Sequence, residues 1–173
     1  MNSEPNTQTT HFFYTIRPAT VNDVPFLWEM LYESIYVPED KPQPDRALLQ
    51  EPAFAHYLTD WGERDGDVGL IAINTDNIEP IGAVWTRLFP IDDPGWGFVD
   101  AQTPELGIAI RPTYRGQGIG TTLLTALIAQ MTGRFPALSL SVDPENPAMN
   151  LYTRLGFAVV GASGTSLTMQ KML

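Results

Sequence analysis

The sequence predicts a single domain of the mixed α/β class. Its 173 residues, of which 43% are apolar, suit one domain that buries roughly two thirds of the unfolded chain's surface. Along the chain, the apolar spacing changes repeatedly between the alternation of strands and the wider period of helices. After Pro104, a strand, a glycine-rich loop and a helix follow one another directly. Strands and helices are therefore interleaved, as in an α/β domain.

The first elements are a strand and an amphipathic helix. Phe12–Arg17 has the composition of a strand, and Thr20–Asp23 supplies capping residues for the helix that follows. The helix carries an apolar stripe at Val24, Leu27, Trp28, Leu31 and Ile35. Val37–Asp45 contains three prolines, so we expect a loop there.

A hairpin is predicted in the middle of the chain. A short helical stretch around Phe54–Trp61 comes before it. The apolar runs Val68–Ile73 and Ile81–Leu88 are separated by a polar stretch, which favours two antiparallel strands. Phe89–Thr103 then forms a long connection rich in glycine and aspartate. Connections of this length often border a functional site.

Composition disfavours several classes of partner. The net charge of −10 repels nucleic acid and anionic membranes, and it favours a cationic small molecule. Because the chain has no cysteine, it has no disulfide, thiolate nucleophile or cysteine-based metal site. His11 and His56 have no partner at ligand or triad spacing, so we expect no metal.

The N-terminal residues 1–10 are predicted to be a disordered tail. They are polar and lack the basic and apolar regions of a secretory signal, so residues 11–173 are expected to form the domain. No window of eighteen apolar residues occurs, which argues against a membrane span. The expected location is the cytoplasm.

The segment after Pro104 carries the most informative pattern. Glu105–Ile110 has the composition of a strand, Arg115–Gly120 is rich in glycine, and Thr121–Met131 has a helical apolar period. Glycines let the backbone approach a ligand closely, and the unpaired N–H groups at a helix start favour anions. Arg115 adds a full positive charge. The pattern predicts a site for an anion such as a pyrophosphate.

Two common nucleotide-binding patterns fit this loop poorly. A P-loop needs a lysine at its end, and no lysine lies in or near the loop. A dinucleotide-binding unit needs a G-x-G-x-x-G run and an acidic residue after the next strand, a place that Asp143 takes. The glycines instead fall at every second position, Gly116, Gly118 and Gly120. The dinucleotide fold is the more serious of these two alternatives.

Two blocks resemble the GNAT superfamily of N-acetyltransferases. Arg115–Gly120 resembles its motif Arg/Gln-x-x-Gly-x-Gly/Ala, and Asn146–Phe157 resembles its stretch Asn-x-x-Ala-x-x-Leu-Tyr-x-x-x-Gly-Phe. The second block departs in one place, because Asn146 stands one residue too close to the alanine and Glu145 takes the usual position. The blocks together span Glu105–Phe157, and the order of elements extends the likeness over nearly the whole chain.

This resemblance implies a fold and a cosubstrate. The fold has a central, mostly antiparallel sheet that is splayed between its fourth and fifth strands and flanked by about four helices. Acetyl-CoA would be the donor, with its pantetheine in the splay and its pyrophosphate on the glycine-rich loop. The implied cofactor-binding residues are Ile108, Ala109, Ile110, Arg115, Gly116, Gln117, Gly118, Ile119, Gly120 and Asn146.

The chemistry of amine acylation needs a base and an acid. An alkylamine has a pKa of about 10, so it must lose a proton before it attacks a thioester. Glu105, at the start of the strand expected to splay, is the candidate base, acting directly or through water. By resemblance, Tyr152 would protonate the departing thiolate. Backbone amides near Ile108 would stabilise the tetrahedral oxygen.

The acceptor and the assembly stay open. A direct transfer to a primary amine is expected, and small amines, amino acids, aminoglycosides and protein N-termini are all candidates. Tyr32, Tyr36 and Trp96 are candidate walls of the acceptor pocket. A non-catalytic acyl-CoA-binding sensor module is the alternative function, which the presence of both Glu105 and Tyr152 disfavours. The resemblance also allows a homodimer formed through an edge strand or through the C-terminal strand, Thr165–Leu173.

Overall fold

The computed structural model describes residues 13–173. The strands are β1 (Tyr14–Pro18), β2 (Gly69–Asn74), β3 (Pro80–Arg87), β4 (Glu105–Ile110), β5 (Ala137–Val142), β6 (Ala158–Ser163) and β7 (Ser166–Met172). The helices are α1 (Val24–Ser34), α2 (Pro52–Ala55), α3 (Ile119–Met131) and α4 (Met149–Arg154). The predicted N-terminal tail over residues 1–10 and His11 lie outside the described residues.

All seven strands belong to one sheet, in the order β1-β2-β3-β4-β5-β7-β6. Neighbouring strands are antiparallel except β4 and β5, which are parallel. β4 pairs with β3 along its whole length, but it meets β5 at only one register position, Glu105 opposite Ser139. The expected mixed fold, with a mostly antiparallel sheet and four helices, is confirmed.

A hydrophobic core lies on each face of the sheet. Successive strand side chains point to opposite faces, so Leu70 and Ala72 join one core while Ile71 joins the other. α3 covers the first face and α1 the second. The apolar residues of α3 repeat at helical spacing, and a fully buried leucine such as Leu127 contributes roughly 1.5–3 kcal/mol. None of the helices in residues 13–173 is long and apolar enough to cross a membrane.

The predicted helical stretch around Phe54–Trp61 is shorter in the structure. α2 ends at Ala55, and the chain continues to Trp61 in turns. The cause is the buried side chain of Arg87, whose Nη1 donates to the carbonyls of His56 at 2.9 Å and Thr59 at 2.6 Å. These carbonyls are thereby engaged by a side chain, whereas a continuing helix would pair them with amides four residues later.

Arg87 is itself held by a buried carboxylate. Its Nε and Nη2 donate to the two oxygens of Asp67 at 2.9 and 2.8 Å, and the side chains are 1% and 0% exposed. Asp67 also accepts from the amides of Gly62 and Arg64. Because both charges are paired and hydrogen-bonded, the interior tolerates them, and they fasten the turns after α2 to β3.

Candidate active site

The sheet opens between β4 and β5. Arg111 N donates to Ile81 O at 2.8 Å, and hydrogen-bonded and non-hydrogen-bonded pairs alternate along an antiparallel ladder. The backbone of Ala109 therefore pairs with β3, whereas Ile108 and Ile110 turn their N–H and C=O groups towards β5. The Ile110 carbonyl accepts from Arg115 Nε at 2.9 Å. The backbone of Ile108 borders the gap.

Two glycines let the connection between β3 and β4 approach this gap. A Cβ on Gly97 would lie 2.5 Å from the backbone of Leu140 on β5. A Cβ on Gly95 would collide with Glu105 Oε2 and lie 2.8 Å from the hydroxyl oxygen of Tyr57. Only glycine fits at these two places, so the long connection predicted from the sequence lies directly against the gap.

One cavity, of about 870 Å³, lies on the α3 side of the gap. It is lined by residues of β4, the glycine-rich loop and α4, among them Ile108, Ala109, Ile110, Arg115, Gly116, Gly118, Gly120, Asn146 and Tyr152. We call it the loop cavity. The predicted cofactor residues are largely brought together here.

The glycine-rich loop adopts a backbone that side chains disfavour. Gly116 and Gly118 have φ angles of 73° and 82°, in the left-handed region. An added Cβ on either would meet no atom within 4 Å, so backbone conformation, and not crowding, calls for glycine. Gly118 caps α3, and the N–H groups of Ile119–Thr121 have no partner inside the helix. The helix start therefore favours an anion.

Three of the predicted cofactor residues, Arg115, Gln117 and Ile119, are placed differently relative to the loop cavity. Arg115 is half exposed, and its Nη2 is paired with Glu33 Oε2 at 3.0 Å. Gln117 is exposed and does not line the cavity, while the Ile119 side chain is buried in the core. Gln117 and Ile119 can thus contribute only through the loop backbone in this conformation.

A second cavity, of about 450 Å³, lies on the other side of Ile108. Its wall includes Glu105, Asp143, Tyr152 and the aromatic residues Tyr36, Phe54, Tyr57, Trp85 and Trp96. We call it the acceptor cavity. Ile108, Asn146 and Tyr152 line both cavities, which therefore meet at the gap.

Glu105 lies at the inner end of the acceptor cavity and is 4% exposed. Its Oε1 accepts from the Tyr57 hydroxyl at 2.7 Å, and that hydroxyl accepts from the Trp96 amide at 2.8 Å. Oε2 has no hydrogen-bond partner of regular geometry among the described residues. Burial raises the pKa of Glu105 to about 7, although the Tyr57 hydroxyl and the backbone of Gly97 partly offset it. Such a carboxyl can accept a proton near neutral pH.

Tyr152 stands on α4, where the two cavities meet. It is 7% exposed, and its ring packs edge-on against Phe157. Burial raises the pKa of its hydroxyl to about 12, so the hydroxyl stays protonated at neutral pH. It makes no hydrogen bond with another described residue, which leaves it able to donate to a ligand.

Asn146 occupies a turn before α4. A polar residue followed by a proline is the pattern of an N-cap with proline at the first helical position, but α4 begins later, at Met149. The side chain still acts as a local cap, because its Oδ1 accepts from the Ala148 amide at 2.9 Å. The difference arises because the turn at Pro147 precedes the first regular helical residue.

Sequence reasoning missed Tyr57. Its hydroxyl reaches a carboxylate 48 positions later, and no motif or periodicity connects the two residues. Burial and the Glu105 carboxylate raise the pKa of Tyr57, so it remains a donor. The only signal was an aromatic-rich segment between Phe54 and Trp61.

The other aromatic and histidine predictions are distributed as follows. Trp96 lines the acceptor cavity and Tyr36 lines both cavities, whereas Tyr32 lines only the loop cavity and donates to the Pro44 carbonyl. His56 Nδ1 lies 3.0 Å from Asp93 Oδ1, and this pair joins the long connection to the turns after α2. Within residues 13–173, no group of three or more metal-ligating side chains occurs.

Comparison with known proteins identifies the family. The model of the acetyltransferase (GNAT) family matches residues 28–157, and the chain belongs to this family. A comparison with curated protein sequences gives no significant match.

Three solved structures illustrate the similarity of fold. PaiA N-acetyltransferase from Thermoplasma acidophilum, in complex with coenzyme A, has a TM-score of 0.67 at 20% identity, covering 93% of this chain and 99% of that one. The structure of ribosomal-protein-alanine N-acetyltransferase from Brucella melitensis has a TM-score of 0.61 at 25% identity, covering 92% of this chain and 99% of that one. The structure of a phosphinothricin acetyltransferase from Sinorhizobium meliloti, in complex with acetyl-CoA, has a TM-score of 0.61 at 21% identity, covering 92% of this chain and 88% of that one.

The raised pKa of Glu105 predicts a pH-dependent stability. Because the native pKa of about 7 exceeds the ordinary value of 4.5, protonated Glu105 stabilises the fold. This contribution is fully present below about pH 4.5 and is lost as the pH rises to about 7. Glu105→Gln lacks it, so the melting temperature of the variant relative to wild type is expected to increase by several degrees from pH 5 to pH 8.

Thermal denaturation monitored by circular dichroism measures this difference. Glu145→Gln is the matched control, because Glu145 is exposed and lines neither cavity. A difference between Glu105→Gln and wild type that stays constant from pH 5 to pH 8 would contradict the raised pKa.

Proposed function

We propose that this protein transfers the acetyl group of acetyl-CoA to a primary amine, by direct attack within a ternary complex. The observation that carries the proposal is the meeting of two cavities at the open strand pair. The loop cavity ends on a helix start that favours an anion, and the acceptor cavity ends on a buried carboxyl group. A donor and an acceptor entering from the two sides would meet beside Ile108.

The donor half of the proposal rests on the loop cavity. The amides of the loop and of the first turn of α3 would bind the pyrophosphate, with Arg115 adding charge. The pantetheine amides would pair with the backbone of Ile108 and its neighbours, as an added strand pairs with a sheet edge. Two structures of similar fold bind coenzyme A or acetyl-CoA, which supports this donor.

The proposed cofactor-binding set is the one expected from the sequence. Ile108 and Ile110 would act through their backbone groups on β4, and Ala109 would form part of the cavity wall. Asn146 would border the pantetheine. The loop residues are Arg115, Gly116, Gln117, Gly118, Ile119 and Gly120, of which Gln117 and Ile119 would act through their backbone.

The acceptor half rests on Glu105. An ammonium group must lose a proton to become a nucleophile, and a carboxylate with a pKa of about 7 accepts it at neutral pH more readily than an ordinary glutamate. The Tyr57 hydroxyl holds one oxygen of the carboxylate and leaves Oε2 for the amine or for a bridging water. Glu105 is therefore proposed as the general base.

Collapse of the tetrahedral intermediate requires two further groups. The N–H of Ile108 faces the gap and would donate to the oxyanion. Tyr152, which remains protonated at neutral pH, would donate its proton to the departing thiolate. This pairing of a base and an acid on opposite sides of the gap favours catalysis over the alternative, a non-catalytic acyl-CoA sensor.

Tyr152→Phe tests the transfer itself. With acetyl-CoA and a panel of primary amines, wild type is expected to release free thiol, and the variant to lose about 10²-fold in kcat. Acetyl-CoA affinity, measured by calorimetric titration, is expected to change little because only the hydroxyl is removed. Tyr14→Phe is the control and should retain activity, because Tyr14 lies on the edge strand β1 and lines neither cavity, although its hydroxyl oxygen lies 3.0 Å from Thr122 Oγ1. Micromolar binding of acetyl-CoA without thiol release from any amine would favour the sensor.

Gly118→Ala tests the pyrophosphate loop. The substitution forces a side chain into a left-handed position, which costs about 1–2 kcal/mol or shifts the loop, and acetyl-CoA affinity is expected to fall about tenfold. Gly133→Ala is a matched control. Gly133 has a φ of 81°, meets no atom within 4 Å of an added Cβ, and lines neither cavity.

Calorimetric titration of both variants separates binding from strain. Both should lose similar thermal stability, but only Gly118→Ala should lose affinity for acetyl-CoA. Equal affinities in the two variants would remove the loop from the donor site.

A further inference from the structure

The charges of the acceptor cavity have one sign. Among the described residues of its wall, the charged side chains are Glu105 at the inner end and Asp143 on β5's side of the cavity. No lysine, arginine or histidine belongs to this wall. Two arginines, Arg115 and Arg154, line the loop cavity instead, and Arg115 is already paired with Glu33. The wall therefore attracts a cation and repels an anion.

Six aromatic residues form one part of the wall, and the turn between β6 and β7 adds small polar residues at another. The rings of Phe54 and Trp96 are 4.6 Å apart between centroids, and those of Tyr57 and Trp96 are 5.6 Å apart. Trp96 is 41% exposed although it belongs to this ring cluster, so much of its surface is available to a ligand. The Trp85 ring lies across Gly107, where a Cβ would approach it to 2.5 Å. Aromatic faces bind both apolar groups and cations.

Two buried polar atoms of the wall have no hydrogen-bond partner of regular geometry among the described residues, and they differ in charge. Glu105 Oε2 is an acceptor that suits an ammonium N–H. Trp85 Nε1 is a neutral donor that suits an oxygen or a water, but it does not offset the charge of an anion. A carboxylate bound beside the amine would therefore lie near the carboxyl groups of Glu105 and Asp143, with no cationic side chain of the wall to balance it.

We propose that the acceptor is a primary alkylammonium compound with an apolar or aromatic body and no anionic group. This assignment rests on the proposed function and narrows its acceptor. It excludes free amino acids as acceptors. Whether a peptide N-terminus can serve as acceptor is decided by the experiments below. The ammonium lies against Glu105, and the body lies among Phe54, Tyr57 and Trp96.

The transfer balances as follows. The ammonium gives one proton to Glu105, and its nitrogen forms a bond to the acetyl carbonyl carbon. The carbon–sulfur bond breaks, and the thiolate takes a proton from Tyr152. The second proton that the nitrogen loses restores the Tyr152 hydroxyl, and Glu105 releases its proton to solvent. The products are the N-acetylamine, coenzyme A as free thiol and one proton.

Pairs of similar amines test whether the acceptor must lack an anionic group. Phenethylamine and phenylalanine share the ring and the amine and differ by one carboxylate, and phenylalaninamide keeps the added bulk without the charge. With saturating acetyl-CoA, kcat/KM from thiol release is expected to favour phenethylamine over phenylalanine by at least about 10²-fold. Phenylalaninamide should recover most of the loss. Comparable rates with phenylalanine and phenethylamine overturn the inference and leave the proposed function intact.

A pair of variants identifies the source of the preference. Asp143→Asn is expected to narrow the ratio about tenfold, because it removes one of the two negative charges of the wall and keeps the oxygen that accepts from the Glu145 amide at 2.8 Å. Glu145→Gln, an exposed position outside both cavities, is the control and should leave the ratio unchanged. An unchanged ratio in Asp143→Asn overturns the electrostatic argument.

Two further arms cover the remaining outcomes. Putrescine, which replaces the ring by a second ammonium, and a short peptide with a free N-terminus are both expected to react more slowly than phenethylamine. If either compound reacts faster than phenethylamine, the proposal that the acceptor has an apolar or aromatic body is wrong. If no amine releases thiol, the proposed function fails. The charge preference of the acceptor cavity is then tested separately, by calorimetric titration of the complex of the protein and coenzyme A with each amine. Tighter binding of phenethylamine than of phenylalanine then supports it, and equal binding overturns it.

Discussion

The whole site depends on how little β4 and β5 pair. They share one register position, Glu105 opposite Ser139, fixed by the hydrogen bond from Ser139 N to Pro104 O at 3.0 Å. Beyond it, β4 stays with β3 and β5 stays with β7. A backbone edge that would otherwise be satisfied within the sheet is left for a ligand. Gly97, packed against the backbone of Leu140, holds the long connection against β5 beside this opening.

Glu105, the proposed base at the start of the gap, is positioned by a chain of buried polar contacts. Arg87, fixed by Asp67, clamps the carbonyls of His56 and Thr59 on the two sides of Tyr57. Tyr57 in turn holds one oxygen of Glu105, on the strand beside Arg87. The ion pair thus acts on the site through the turn that carries Tyr57. Its contribution is geometric, because the carboxyl group's raised pKa comes from burial.

The sequence predicted the local parts of this arrangement and missed the long-range ones. Strand, glycine-rich loop and helix α3 follow one another along the chain, so spacing and glycine positions were enough to anticipate them. Glu105 and Tyr152 could be named because each stands within or beside a contiguous motif. Tyr57 could not, because its partner is 48 positions away and the contact forms only when the turns after α2 pack against β4. The same long-range cause shortened α2, since the residue that takes up the carbonyls is Arg87 on another element.

A crystal structure of the complex with acetyl-CoA tests the central claim most directly, that the thioester lies where the two cavities meet. We expect the pyrophosphate on the amides of Gly116–Gly120 and the thioester carbonyl within hydrogen-bonding distance of Ile108 N. The sulfur should face the Tyr152 hydroxyl, with the acetyl group pointing into the acceptor cavity towards Glu105. A pantetheine arm that runs outside the gap between β4 and β5, or a sulfur remote from Tyr152, would contradict this description of the site.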